Sequence, residues 1–470
     1  MFRLAFPEFR CWTKNMCINM IRIALWLAFC LFAAAPTTGA ESQPEAVVDV
    51  PSAWHALVRQ QARKLTGPDD LDSLVLQAGR RDLVLLGEAT HGSHEFYTWR
   101  DHLSRRLIEE QGFDFVAVEG DSAALSRLDD YVQGRTEGVL HAADVLRTFT
   151  RWPVWMWRNR EFAEFAEWLR AFNLSRAPAA RVGVIGFDIY APWSAMKNLL
   201  VLLKRHRPEI EPAFAAQLSC FGLLGDSSEA ISTASADASA SCLKTLDAVD
   251  AALTADRQHW PEAVQFRHAD AQRHLRVVRN ALSYYRTPNG NDSWNLRADH
   301  MWQALAAHLQ PAPSGGKPRR GIVWAHNSHI GDAYYTGLGV LGMRNIGQLS
   351  RQALGKERVF SIGLATSQGS TIAAPAWGET PGVTLMAPAL ADSFEALLEG
   401  TSAGSSPNWW LAFGQTEHND LALNQTLGHR GIGVVYQPAL DSLYYLLSRV
   451  PWRYDALIYL RETTPLTPLD

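Results

Sequence analysis

Along most of this chain, short apolar runs alternate with longer amphipathic stretches, and that alternation constrains the fold more than any other feature. The runs are Leu83–Leu86, Phe115–Val118, Val182–Ile185, Ile322–Trp324, Val359–Ile362, Trp409–Phe413, Ile432–Tyr436 and Leu457–Tyr459. Most lie between helical patterns such as Glu95–Glu110 and Arg160–Phe172. A run apolar at every position reads as a strand buried on both faces, which is the condition of a parallel sheet between helix layers. The order predicts an α/β fold with a mainly parallel central sheet covered by helices. Trp193 to His308 holds no strand-like run, so residues of about 193–308 are expected to form a helical insertion or cap. Inside it, the Ser/Ala-rich segment Asp226–Ser241 reads as a mobile polar loop. Pro311–Pro318 reads as an exposed turn that returns the chain to the sheet. There is no internal repeat, no phosphate-cradling Gly-rich loop and no Gly-x-Ser-x-Gly nucleophile elbow.

Residues 1–40 stand apart from that pattern. Arg10, Lys14 and Arg22 precede the apolar stretch Ile23–Phe32, and small residues follow up to Thr38-Gly39-Ala40. This is the charged, apolar, small-residue order of a secretory signal, and the apolar core is short for a membrane span. The long charged region admits a start at Met16 or Met20, and Phe29 before Cys30 argues against a lipid anchor. Residues 41–470 are then the mature protein, periplasmic or secreted, with no stable membrane span. The mature chain has 40 Lys and Arg against 47 Asp and Glu, a net charge of −7. No basic run remains, so nucleic acid is not expected as a partner. Three of the five cysteines leave with residues 1–40, and the remaining two, Cys220 and Cys242, are expected to pair and close the polar loop between them.

Polar groups gather where four of the apolar runs end. The first passes into Gly87-Glu88-Ala89-Thr90-His91-Gly92-Ser93-His94-Glu95, the second into Glu119-Gly120-Asp121, the third into Asp188, and the fourth into His326-Asn327-Ser328-His329. Parallel strands deliver their carboxyl ends to one edge of the sheet, so groups far apart in sequence can meet there. Asp188 alone reads as a turn or cap residue. On the helix that begins near His94, Phe96, Trp99, Leu103 and Leu107 form the inward stripe. Arg100 lies beside it, placed either to reach the sheet edge or to extend its charge to solvent.

Two chemistries suit such a set. A neutral histidine oriented by a carboxylate can deprotonate water while a second histidine or an arginine stabilises developing negative charge. Alternatively, the two His-x-x-His pairs with Glu88 and Glu119 could hold a divalent metal that activates the water. The order around His91 is not the His-Glu-x-x-His of zinc peptidases, which weighs against the metal. Trp152, Trp155 and Trp157 are candidates for an apolar wall beside these groups, with core packing the expected role of at least one.

The segments Gly-Glu-Ala-Thr-His-Gly-Ser-His-Glu-Phe (87–96), Val118-Glu119-Gly120-Asp121 and Trp324-Ala325-His326-Asn327-Ser328-His329 closely resemble the erythromycin esterase family. Supporting similarity lies at Trp168–Asn173, Ile185–Tyr190 and Arg453–Tyr459, so the resemblance runs in order from about Leu83 to the C-terminus. It implies an α/β core with a helical cap, and hydrolysis of the lactone ester of macrolides without an acyl-enzyme. In this chain His91 would be the general base and Glu88 its orienting carboxylate. His326 would be the second essential histidine with His329 beside it, and Arg100 and Glu119 further active-site residues. The resemblance implies no cofactor and a small ester as substrate, and a monomer is expected. Export departs from the familiar resistance enzymes of this type, which act inside the cell. A metal-dependent hydrolase and a non-catalytic periplasmic binding protein for a large apolar ligand stay open as alternatives.

Overall fold

A computed structural model describes residues 49–311 and 317–470. The expected signal segment lies outside the described residues, as does most of the turn expected at 311–318. The strands are β1 (Arg63–Lys64), β2 (Leu83–Leu86), β3 (Phe115–Asp121), β4 (Gly183–Asp188), β5 (Gly321–Trp324), β6 (Val359–Ala373), β7 (Gly382–Leu385), β8 (Trp409–Ala412), β9 (Leu427–Arg430), β10 (Tyr445–Ser448) and β11 (Ala456–Thr463). The main sheet has the order β1-β8-β11-β6-β2-β5-β3-β4. Every pairing from β11 to β4 is parallel, and β8, β1 and β7 add antiparallel edges. The mainly parallel α/β sheet expected from the apolar runs is what forms.

Strand periodicity explains the layers. Successive side chains point to opposite faces. Val84, Leu86, Val116, Val118, Ile322 and Trp324 therefore join one buried cluster, while Leu83, Leu85, Phe115, Ala117 and Val323 join another. The helices α1 (Val50–Gln61), α2 (His94–Gln111), α3 (Ser122–Val132) and α4 (Arg160–Leu174) supply apolar stripes to these layers. The carboxyl end of α2 is set by Gly112, whose φ of 69° is the left-handed conformation that glycine adopts without strain.

Helices α5 (Pro192–His206), α6 (Glu211–Leu223), α7 (Ser228–Thr233), α8 (Ala236–Asp256) and α9 (Gln265–Arg286) follow β4. Residues from all five enclose their own cluster, which includes Leu199, Phe221, Ile231, Leu246 and Leu275. Helix α10 (Asn291–Leu309) instead packs Met301 and Leu305 into a sheet layer, as α11 (Ile346–Leu354) does with Ile346. The mobile loop expected at Asp226–Ser241 is not found; α7 and the start of α8 occupy it. Ser227 and Ser235 cap those helices by accepting from the Ala230 and Ala238 amides, and the alanines between favour helix. The serines that suggested a loop are helix starts.

Cys220 and Cys242 are bridged, with Cα atoms 5.4 Å apart, so the disulfide staples α6 to α8. Its reduction is expected to lower the stability of this helical region by about 3 kcal/mol, from the entropy of the released loop. Denaturation midpoints of one preparation with and without reductant check this, and coincident midpoints would refute it.

The run Ile432–Tyr436 is not a strand. Gly433 interrupts it, and its backbone meets its neighbours in single bridges of Ile432 to Thr90 and Val435 to Ala374. β6 runs beyond the expected Val359–Ile362 to Ala373, and β9 and β10 form a separate two-stranded sheet. After β11 the chain lies against the loop that follows β2. The Leu466 amide donates to Gly92 O (2.9 Å) and the His94 amide to Thr464 O (2.8 Å). Glu95 accepts from the Thr464 amide and hydroxyl, each at 2.7 Å.

Candidate active site

The loop leaving β2 is fixed before its side chains do anything chemical. Gly92 must be glycine, because a Cβ there would stand 2.0 Å from Ile372 O of β6. A buried hydroxyl chain, Thr371 to Thr90 (3.1 Å) and Thr90 to Ser93 (2.5 Å), ties the same loop to β6. So held, the loop presents His91 to a cavity of about 500 Å³ outside the carboxyl ends of the strands.

Glu88 is fully buried behind His91. Its Oε1 lies 2.8 Å from His91 Nδ1, and its Oε2 makes a 2.8 Å ion-pair contact with Arg100 Nη2, outside hydrogen-bond geometry. With Nδ1–H donated to Glu88, Nε2 is left as the free nitrogen of His91. Burial alone would disfavour the charged ring, but the hydrogen bond and charge of Glu88, with Glu119 farther off, outweigh it and raise the pKa above the ordinary histidine value. Arg100 is wholly buried, its guanidinium 4.3 Å from the Tyr97 ring centroid and 5.0 Å from that of Trp324. Of the two directions open to it, Arg100 takes the inward one, yet it meets Glu88 and not the cavity.

His326 follows β5 and stacks obliquely on His91, with ring centroids 4.9 Å apart. Its Nδ1 accepts from the Ser328 amide (3.2 Å) and lies 2.8 Å from the Ser328 hydroxyl. Nε2 therefore carries the proton, 3.4 Å from Ala89 O. Burial and the neighbouring His91 hold the His326 pKa well below the usual value, so the ring is a neutral Nε2–H donor. That same depression makes it a poor base for Ser328. Gly431 leaves room for it, since a Cβ there would stand 3.1 Å from the ring.

Glu119, at the end of β3, organises the other side. Its Oε2 accepts from the His326 amide (3.0 Å), and its Oε1 accepts from Arg297 Nη2 (2.7 Å) and lies 3.2 Å from His329 Nε2. Burial works against this carboxylate, but neighbouring positive charge, including that of Arg297, lowers its pKa well below the ordinary glutamate value. Arg297 on α10 also grips Asp188 bidentately, at 2.9 and 2.7 Å. Asp188 is thus an ion-pair partner within the site and not a turn residue alone. His329 stacks flat on Trp294, with centroids 4.9 Å apart.

His91, Glu119, His326 and His329 line one cavity, with Glu88 and Arg100 stacked behind His91. His94 does not join them; its Nδ1 lies 2.7 Å from Glu161 on α4. The first His-x-x-His pair is thereby split. Among the described residues no group of three or more His, Cys, Asp or Glu side chains is spaced to hold a metal ion. Of the three candidate tryptophans Trp157 lines the cavity. Trp155 is buried in the core, and Trp152 packs on Trp155 and Trp377. Further aromatic lining comes from Phe149, Tyr190, Trp294, Trp377, Tyr444 and Tyr445. Arg297 escaped the sequence reading because it sits mid-helix in the insertion, far from any strand end. Its one local signal was a lone arginine in Asn295-Leu296-Arg297-Ala298 on a helix otherwise packed against the sheet.

The model of the erythromycin esterase family matches residues 108–463. That span holds Glu119, His326 and His329, while Glu88, His91 and Arg100 precede it. Three solved structures share the fold at low identity. A protein of Bacillus cereus is 16% identical with a TM-score of 0.73, covering 89% of this chain and 99% of that one. A succinoglycan biosynthesis protein is 18% identical with a TM-score of 0.72, covering 90% and 100%. A mutant of the erythromycin esterase EreC in its open conformation is 14% identical with a TM-score of 0.62, covering 87% and 99%. The family match spans most of the chain and carries with it a hydrolase acting on ester bonds: this protein belongs to the erythromycin esterase family.

Proposed function

We propose that this protein hydrolyses a macrolactone or similarly bulky carboxylic ester by direct attack of water, with His91 as general base. The observation that carries the reading is the Glu88–His91 pair, whose geometry leaves a neutral Nε2 at the cavity wall (Nδ1 to Oε1 2.8 Å). Water bound to Nε2 gives up a proton as its oxygen bonds to the ester carbonyl carbon. The carbonyl oxygen gains the negative charge, and the His326 Nε2–H donates to it. When the tetrahedral intermediate collapses, the C–O bond to the alcohol breaks and the His91 imidazolium protonates the departing alkoxide. Glu88 orients His91 and favours its cationic form, and Arg100 balances the charge of Glu88 from behind. Glu119 fixes the backbone of His326. Ser328 is not the nucleophile in this reading, because its only imidazole partner is the poorly basic His326.

No metal is invoked, because each carboxylate of the site is already engaged by an arginine. Release into the periplasm or beyond follows from the order of residues 1–40 and suits the Cys220–Cys242 bridge, since disulfides persist in oxidising compartments. Were the substrate a macrolide antibiotic, destruction before it enters the cytoplasm would confer resistance.

The test is a panel of macrolides and simple bulky esters, with products read by mass spectrometry, before and after prolonged dialysis against a chelator. Hydrolysis that survives the chelator is expected. His91 must be neutral to act and its pKa is raised, so kcat/KM should climb with pH through a group titrating above the ordinary histidine value of about 6.5. Glu88→Gln should move that limb to lower pH. An acyl-enzyme trapped in the steady state, or activity restored only by added metal, would overturn the mechanism.

A further inference from the structure

We propose that Arg297 is a positioning residue that locks His329 in the Nδ1–H tautomer, and so arms a second hydrogen-bond donor at the cavity. The proposal rests on the hydrolytic reading for its catalytic consequence, but the tautomer itself does not.

Two groups contend for His329 Nε2: Arg297 Nη1 at 3.0 Å and Glu119 Oε1 at 3.2 Å. They demand opposite things of that nitrogen. An arginine always presents N–H, so Nε2 must offer its lone pair; a carboxylate asks for a proton on Nε2. Both cannot be satisfied, because two N–H groups facing each other at 3.0 Å repel. The arginine wins on geometry. Its guanidinium is held in one plane by Asp188, at 2.9 Å on Nε and 2.7 Å on Nη2, and by Glu119 at 2.7 Å on Nη2. A fork fixed by three contacts aims Nη1 at the ring, whereas Glu119 Oε1 already accepts a shorter bond from that guanidinium. The ring is held in that plane, since it lies flat against Trp294 with an interplanar angle of 12°.

With Nε2 occupied as an acceptor, the proton of a neutral His329 stands on Nδ1. That atom is buried and has no partner among the described residues, although the side chain lines the cavity. A buried N–H without an acceptor is unfavourable, because it has lost its bond to water and gained none. An oxygen of the bound ester, or the oxyanion formed from it, removes that cost. Asp188 thereby acts on the reaction at two removes, through Arg297 and then His329.

Long-range 1H–15N correlation of the full-length protein labelled with 15N-histidine reads the tautomer directly, with His329→Gln to assign the signals. The wild-type spectrum is expected to show His329 protonated on Nδ1 and bare on Nε2. In Arg297→Lys, whose single ammonium cannot span three partners, the proton should move to Nε2 toward Glu119. There kcat should fall about 10- to 100-fold with KM within about twofold, as for a donor used only in the transition state. Asp188→Asn, a milder loosening of the clamp, should give a mixture of tautomers and an intermediate kcat. A wild-type His329 protonated on Nε2 overturns the lock even if neither variant folds. A switched tautomer with unchanged kcat overturns the catalytic role. The expected spectrum in a protein that hydrolyses no ester would sink the proposed function and leave the lock standing.

Discussion

Replacement of His91 by alanine is expected to lower kcat by about 10²–10⁴-fold, the usual cost of a lost general base. Stopped assays on any hydrolysed ester measure it, with circular dichroism as the control for folding. The fold should survive, because the loop is held by Gly92, Thr90 and Ser93 and Glu88 keeps its contact with Arg100. Glu88→Gln should cost less, since a neutral amide still accepts from Nδ1. A His91→Ala enzyme within a few fold of wild type would remove this residue from the chemistry.

Glu119→Ala is expected to be strongly destabilising, by about 3–5 kcal/mol, the range for removing one member of a buried ion pair. It strands Arg297 with Asp188 as its remaining carboxylate and leaves the His326 amide without its acceptor. Denaturant titration checks the value, and a loss under about 1 kcal/mol would show that the network contributes little. Glu119→Gln, which can still accept from His326, should fall between. The lowered Glu119 pKa adds a pH signature: its contribution is complete above the ordinary glutamate pKa and is lost as pH falls through the depressed folded-state value. The stability difference between wild type and Glu119→Gln should therefore narrow only at strongly acid pH.

How much of this was legible in the sequence depended on whether the determining contact was local. The apolar runs marked the parallel strands because burial on both faces excludes polar residues, and strand ends then marked Glu88, Glu119 and His326. Asp188 was visible but ambiguous, since nothing near it shows that an arginine on α10, 109 residues away, grips its carboxylate. Trp152, Trp155 and Trp157 share a short segment but diverge into different layers, so the sequence did not separate the one that lines the cavity from the one that packs in the core. Asp226–Ser241 misled for a simpler reason: serine begins helices as readily as it fills loops, and the deciding factor is the capping bond to an amide two or three residues on.

The contact between the post-β11 segment and the loop after β2 sets an order of assembly. Glu95 and Thr464 meet across a sequence separation of 369 residues, and Gly92, one residue from His91, is anchored by Leu466. A chain still being synthesised can form its early helices and its disulfide-stapled insertion. It cannot complete the anchorage of the loop bearing His91 until Thr464–Leu466 has been made. The earliest-made part of the site therefore keeps one anchor open until the chain is nearly complete, and a partly made chain lacks a finished site.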